Sequence, residues 1–285
     1  MFFMKRIGFI DYYIDEWHSN NYPEFFKATD VGKDFQVTLA YEVAPHPERR
    51  PLGKWCQDMN IAPAASPEEV VDNCDCILVL APNNSEKHEE LAEYALASGK
   101  PVYIDKTFAP DRAAAQRLFA RAEKYNTPLM STSALRYCKA VIESATPGEC
   151  EYFCGFGGGL WFDVYAVHQV EQMVALCGTD AEKVIVTTCG ESRCADIVYS
   201  NGRLGRINYD PSIDYMHSVR KENGKILFTS LEGDKYFARL MESIAEFFVT
   251  GKATVDPAQT CAVCAIIDAL RTAEKTPGEW VKVIR

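Results

Sequence analysis

The sequence predicts an α/β chain in two parts: a doubly wound parallel sheet over residues 1–133, then an α+β domain with a mostly antiparallel sheet over residues 134–285. Three observations point there. Short, continuously apolar strand runs alternate with helical runs in the first part, the pattern of a parallel sheet covered on both faces. After about Ser133, strand runs follow one another across tight turns, which joins them antiparallel. A chain of 285 residues also reaches the size at which single cores stop growing, ~250–300 residues, so a second domain is expected.

Residues 6–10 read as the first strand, 36–43 as the second, 75–80 as the third, with 102–104 and 128–130 supplying two more. The helical runs between them are 23–28, 67–72 capped by Ser66, 86–97 closed by Gly99, and 112–125 after Asp111. Ile77-Leu78-Val79-Leu80, apolar at every position, is a strand buried on both faces. In the second part, residues 195–199 and 204–208 flank Asn201-Gly202, the strongest short hairpin signal. Glu222-Asn223-Gly224 precedes another strand over 225–230. Two long helices follow, 235–249 and 257–273, and residues 280–284 close the chain as a strand.

Forty acidic against thirty basic residues give a formal charge of -10, which repels phosphate backbones and anionic membrane surfaces. Nucleic acid and membrane are therefore excluded as expected partners. Residues 76–81, the most apolar window, fall far short of the ~20 a bilayer span requires. At the N-terminus the basic pair Lys5-Arg6 follows the apolar residues, the reverse of a signal peptide, so a cytoplasmic location is expected. Eleven cysteines, an odd number in apolar or helical contexts, read as reduced thiols. Cys261 and Cys264 form C-x-x-C within a helical pattern, two thiols on one face, and Cys74-x-Cys76 reads as core packing.

In an open α/β sheet, ligands bind at the carboxyl ends of the strands. The third strand ends in Ala81-Pro82-Asn83-Asn84, with His88 opening the next helix, and a later one ends in Asp105-Lys106-Thr107. Lys106 is either a surface residue or a crevice lysine whose pKa falls toward neutrality on desolvation. The run from Ala95 through Gly99-Lys100-Pro101 to Asp105-Lys106-Thr107, followed by Ser133-Ala134-Leu135-Arg136-Tyr137, resembles the glucose-fructose oxidoreductase/inositol dehydrogenase/MocA family. In that family a lysine after an acidic residue is catalytic, and Lys106 matches it, with Thr107 where proline is usual. Tyr165-Ala166-Val167-His168-Gln169-Val170-Glu171 resembles the family's active-site helix, with His168 on the catalytic histidine. The resemblance spans nearly the whole chain. It implies a Rossmann-like first domain holding NAD or NADP, NAD being favoured, and a polyhydroxylated small-molecule substrate. Lys106, His168 and Tyr165 are then the catalytic candidates, and Arg136, Asp163 and Glu171 the substrate-binding ones. Gly8, Ile10, Asp11, Tyr12, Glu42, Ala81, Pro82, Asn83, His88 and Asp105 are the cofactor-binding candidates.

The first strand departs from the pattern. Ile7-Gly8-Phe9-Ile10 should lead into G-x-G-x-x-G, whose glycines let the backbone approach a pyrophosphate at a helix N-terminus. The chain instead reads Asp11-Tyr12-Tyr13-Ile14-Asp15-Glu16, placing three carboxylates where two phosphate charges would sit. Asp11, Asp15 and His18 fall at helical spacing for a divalent cation, or form a cap and solvated first turn; the second account leaves no metal, and none is expected. Glu42, at the end of the second strand, is either the ribose-binding acid, which favours NAD, or a strand-end charge. Two function classes follow: an NAD(P)-dependent oxidoreductase acting on a hydroxyl carbon with an altered pyrophosphate turn, or a non-redox descendant that binds a small ligand. Apolar strand runs 197–199 and 226–228 lead to the expectation of a homodimer or higher homo-oligomer. If Lys106 and His168 handle one proton together, Lys106→Ala and His168→Ala each lower turnover by roughly two to four powers of ten. The double variant is then far less impaired than the product of the two; multiplicative losses in steady-state kinetics would show separate action.

Overall fold

The computed structural model describes residues 4–144, 150–221, 224 and 226–285. They divide into two compact units, and the division is not a single cut in sequence: the first unit takes Met1–Ala109, Gln116–Ser131 and Phe237–Asp256, the second Pro110–Ala115, Thr132–Tyr236 and Pro257–Arg285.

In the first unit six strands form one parallel sheet in the order β3-β2-β1-β4-β5-β6. In chain order the elements are β1 (Lys5–Asp11), α1 (Trp17–Lys27), β2 (Phe35–Glu42), α2 (Leu52–Met59), β3 (Ala62–Pro63), α3 (Pro67–Asn73), β4 (Cys76–Val79), α4 (His88–Leu91), β5 (Val102–Ile104), α5 (Arg112–Lys124) and β6 (Leu129–Met130). All four residues of β4 are buried, as a strand covered on both faces must be. Gly8 is set by packing: a Cβ there would stand 2.3 Å from Val70 Cγ1 and 3.0 Å from Cys74 Sγ, so α3 lies directly on β1.

Two expected helices differ. The first begins at Trp17, six residues before Pro23, because Glu16 caps it and Pro23 lies inside it rather than at its start. The expected helix over 86–97 is a short α4 between two 3₁₀ turns, Ser85–Lys87 and Ala95–Ala97, where amides alternate between carbonyls three and four residues back. The short α2 and β3 carried no recognised sequence signal. Pro51 precedes α2, and Asn60, at φ 54°, closes it.

The second unit contains α6 (Lys139–Ser144), β7 (Cys150–Gly157), α7 (Phe162–Tyr165), α8 (Val167–Cys177), β8 (Ala181–Cys189), β9 (Ser192–Tyr199), β10 (Leu204–Tyr209), β11 (Met216–Lys221) and β12 (Ile226–Ser230). Then come α9 (Tyr236–Thr250), α10 (Pro257–Lys275) and β13 (Val281–Lys282). The seven-stranded sheet, β12-β11-β7-β10-β9-β8-β13, is antiparallel except where β10 runs parallel to β7. Phe153, Val170, Met173, Val184, Ile197, Ile207, Ile266 and Leu270 lie in its core. The Asn201-Gly202 hairpin joins β9 to β10, with Gly202 at φ 82°. Glu222, Asn223 and Lys225 of the second expected turn lie outside the described residues.

α9 packs with the first unit although it follows the second sheet in sequence. Phe248 meets the ring of Phe35 at 5.9 Å and its carbonyl accepts from Lys5 Nζ, while Glu242 accepts from the Val31 amide. Cys261 and Cys264 are buried in α10, and none of the eleven cysteines, all of them among the described residues, is in a disulfide. Among the described residues no helix is long and apolar enough to cross a membrane.

Candidate functional site

The carboxyl ends of β1, β4 and β5 gather a buried polar cluster in the first unit. The apolar run of β1 ends at Asp11, fully buried. One carboxylate oxygen accepts from the Tyr12 amide at 2.7 Å and the Ala81 amide at 3.0 Å, tying β1 to the loop after β4. Ala81 sits at φ 61°, a left-handed conformation unusual for alanine. The other oxygen, Oδ2, is buried and has no hydrogen-bond partner among the described residues. Burial, with the neighbouring Glu16 charge second, holds the Asp11 carboxyl well above the usual aspartate range.

The turn that lacks glycines is held by carboxylates. Glu16 is the N-cap of α1: its carboxylate accepts from the amides of His18 at 2.8 Å and Ser19 at 2.7 Å, and Ser19 Oγ accepts the Glu16 amide in return. This carboxyl too is pushed up by burial, although the charge of His18 and the two amides oppose that. Glu42 accepts from the amides of Ile14 at 3.0 Å and Leu52 at 2.7 Å, so it braces the same turn from β2. Asp15 turns to Arg50, which binds both of its oxygens, and to Asn20; these bonds hold its pKa below the ordinary value. Asp15 therefore belongs to a different network from Asp11. No three His, Cys, Asp or Glu side chains among the described residues are grouped as a metal ion would need.

His18 Nδ1 contacts the Asp105 carboxylate, and its ring stacks on Tyr22 at 4.9 Å. Burial alone would raise the Asp105 pKa, yet the charges of His18 and Lys106 outweigh it and the net shift is downward. Lys106 is only 5% exposed. Its Nζ donates to the Pro82 carbonyl at 3.0 Å, and desolvation lowers its pKa against the opposing charges of Asp105 and Glu16. His88 is a clamp: Nδ1 lies 2.9 Å from the Phe108 carbonyl and Nε2 2.6 Å from that of Leu80, so it joins the loops after β5 and β4. Its burial lowers its pKa. Of the other residues expected near a cofactor, Ile10 is core and Asn83 is half-buried in the loop after β4. Tyr12 carries the Lys87 ammonium 5.2 Å above its ring.

In the second unit, His168 Nδ1 meets Ser133 Oγ at 2.7 Å, and the rings of Tyr165 and Tyr215 stand edge-on to it, each at 5.7 Å. Gly159 makes room for this arrangement: at φ 150° it passes so close to Tyr165 that a Cβ would lie 2.1 Å from the ring. Tyr209 and Tyr215 donate to the carbonyls of Gly159 and Gly158 and hold that loop. Arg136 and Glu171 form a buried ion pair at 2.6 Å, and Arg136 also donates to Gln259. The two expected substrate ligands thus meet each other, whereas Asp163, half-buried, offers its carbonyl to Arg271. Tyr215 and Gln259 were not foreseen; both come from segments distant in sequence, and no local spacing marks them.

Residues 20–133 match the GFO_IDH_MocA family, an oxidoreductase family with an NAD-binding Rossmann fold. Over 88 residues, 29% of this chain, the sequence is 35% identical to the uncharacterized oxidoreductase YhhX of Escherichia coli, and it spans about a quarter (26%) of that curated relative. The fold is similar to GenD2 from gentamicin A biosynthesis, solved in complex with NAD: TM-score 0.79, 12% identity, covering 99% of this chain and 97% of that one. It is equally similar to a myo-inositol dehydrogenase from Lactobacillus casei, in complex with NAD(H) and myo-inositol: TM-score 0.79, 10% identity, the same 99% and 97%.

A dinucleotide in such a fold places its pyrophosphate on the first amides of the helix after β1. Here Glu16 already occupies the amides of His18 and Ser19, and Asp11 is buried within its electrostatic reach. The residues of this turn, as they stand, do not fit a pyrophosphate. Because the folded pKa of Asp11 lies above the unfolded value of ~3.9, its ionisation costs stability that grows as pH rises. Asp11→Asn, which keeps the acceptor for both amides, is therefore expected to raise the melting temperature at pH 8 by a few degrees and at pH 5 by less. Thermal melts at the two pH values check the sign; a loss at pH 8 would mean that the ionised carboxylate stabilises the turn.

Proposed function

We propose, from the match of residues 20–133 to the NAD-binding Rossmann fold of the GFO_IDH_MocA oxidoreductase family, that this chain is an oxidoreductase. It moves hydride between a nicotinamide and a hydroxyl-bearing carbon of a sugar, polyol or inositol-like substrate. The observation that carries the proposal is Lys106: a buried ammonium with a depressed pKa at the carboxyl end of a parallel strand, where such sheets bind ligands. A lysine with no task there would keep its head in water. In the proposed chemistry Lys106 holds the substrate hydroxyl oxygen and steadies its developing charge. Within the second unit, His168, its ring oriented by Ser133 and flanked by Tyr165, is the candidate proton acceptor of this reading. The cofactor of this reading is NAD, which draws support from the match to an NAD-binding Rossmann family model. The polyol class draws support from the fold's likeness to the inositol dehydrogenase, and a cytoplasmic setting from the free thiols.

One observation favours the second reading, a non-redox descendant that binds a small ligand: the Glu16 cap on the amides a pyrophosphate would use. The two are separated by following absorbance at 340 nm with NAD and a panel of polyols, sugars and inositols at millimolar concentration. The oxidoreductase reading expects reduction with at least one substrate, abolished by Lys106→Ala. If NAD neither turns over nor shifts the melting temperature, the binding-protein reading stands. The protein also assembles as a homo-oligomer in this proposal, and light scattering at micromolar concentration is expected to give at least twice the 32.0 kDa chain mass; a monomeric mass would remove it.

A further inference from the structure

We propose that Glu16 is a built-in occupant of the phosphate subsite, a specificity device against which any dinucleotide must bind. This rests on the oxidoreductase reading. α1 is 11 residues long, and its N-terminal amides are the fold's natural anion site. In this chain an internal anion is already there: both Glu16 oxygens are engaged, one on each of the His18 and Ser19 amides, and Ser19 Oγ closes the box on the Glu16 amide.

A second, independent feature points the same way. Asp11 Oδ2 is fully buried without a hydrogen-bond partner among the described residues, and Glu16 is its leading electrostatic neighbour. The nearby basic groups do not neutralise the turn for a visitor, because His18 is committed to Asp105 and Lys106 donates to Pro82. Tyr22 adds only a neutral phenol. An incoming pyrophosphate thus finds its donors taken and a second buried carboxyl in electrostatic contact with the first, so Glu16 must leave or lose its charge before phosphate can sit down. A glycine turn offers the same amides empty; this one discriminates against dinucleotide by filling them.

The test titrates NADH, by fluorescence, into wild type, Glu16→Ser, Glu16→Gln and Glu16→Asp, each shown folded by circular dichroism. Serine keeps an N-cap while freeing one amide, glutamine removes the charge and puts an NH2 donor in place of one of the two acceptor oxygens, and aspartate retains the charge and an N-cap side chain. We expect Glu16→Ser and Glu16→Gln to bind NADH about tenfold or more tighter than wild type, with Glu16→Asp unimproved. If wild type binds NADH and neither neutral variant binds it tighter, the subsite assignment is overturned while the oxidoreductase reading survives. Absence of binding by every folded protein at millimolar NADH would overturn both. Should Glu16→Ser fail to fold, Glu16→Gln decides the matter alone.

Discussion

The first unit's candidate site depends on one interaction, the Glu16 carboxylate on the opening amides of α1. Four amides at a helix start need acceptors, and where the chain supplies its own anion they stop being a place for someone else's. The remainder of the turn follows from that choice. Without glycines the backbone between β1 and α1 is held by side chains: Asp11 ties it to Ala81, and Glu42 takes the Ile14 and Leu52 amides. Each of these is a carboxylate accepting from backbone, so the loop is fixed by acceptors rather than opened to a ligand that is itself all acceptors.

The same carboxylates set the electrostatics around Lys106. Burial presses its pKa down, while Asp105 and Glu16 press it up, and the net fall shows that desolvation wins. Asp105 can stay ionised in a fully buried position because His18 faces it. The cluster is one coupled unit, in which changing any charge alters the others. In the second unit, by contrast, the buried Arg136–Glu171 pair, joined by Gln259 and Thr132, ties Arg136 to the helix that carries His168; removing one partner would strand the other charge.

Much of this was legible in sequence because it follows from local rules. Continuous apolarity located the parallel strands, Asn201-Gly202 located the hairpin, and the missing glycines flagged the turn. The start of α1 was misjudged because glutamate is an uncommon N-cap and Pro23 mimics a first-turn proline. Glu42 stood open as a ribose acid or a strand-end charge, and its carboxylate is in fact spent on two amides.

The sequence by itself determined the two-part α/β organisation, the strand ends on which Lys106 and Asp105 stand, and the carboxylates in place of the glycine turn, since all of these are set by residue type and short-range spacing. Only the tertiary structure decided which charges meet. Arg136 pairs with Glu171, Asp15 binds Arg50 and not Asp11, and α9 joins the first unit through Phe248 although it follows the second sheet in sequence. Long-range pairing of buried charges and rings is a property of packing, where the cost of an unpaired buried group selects partners that no local pattern announces.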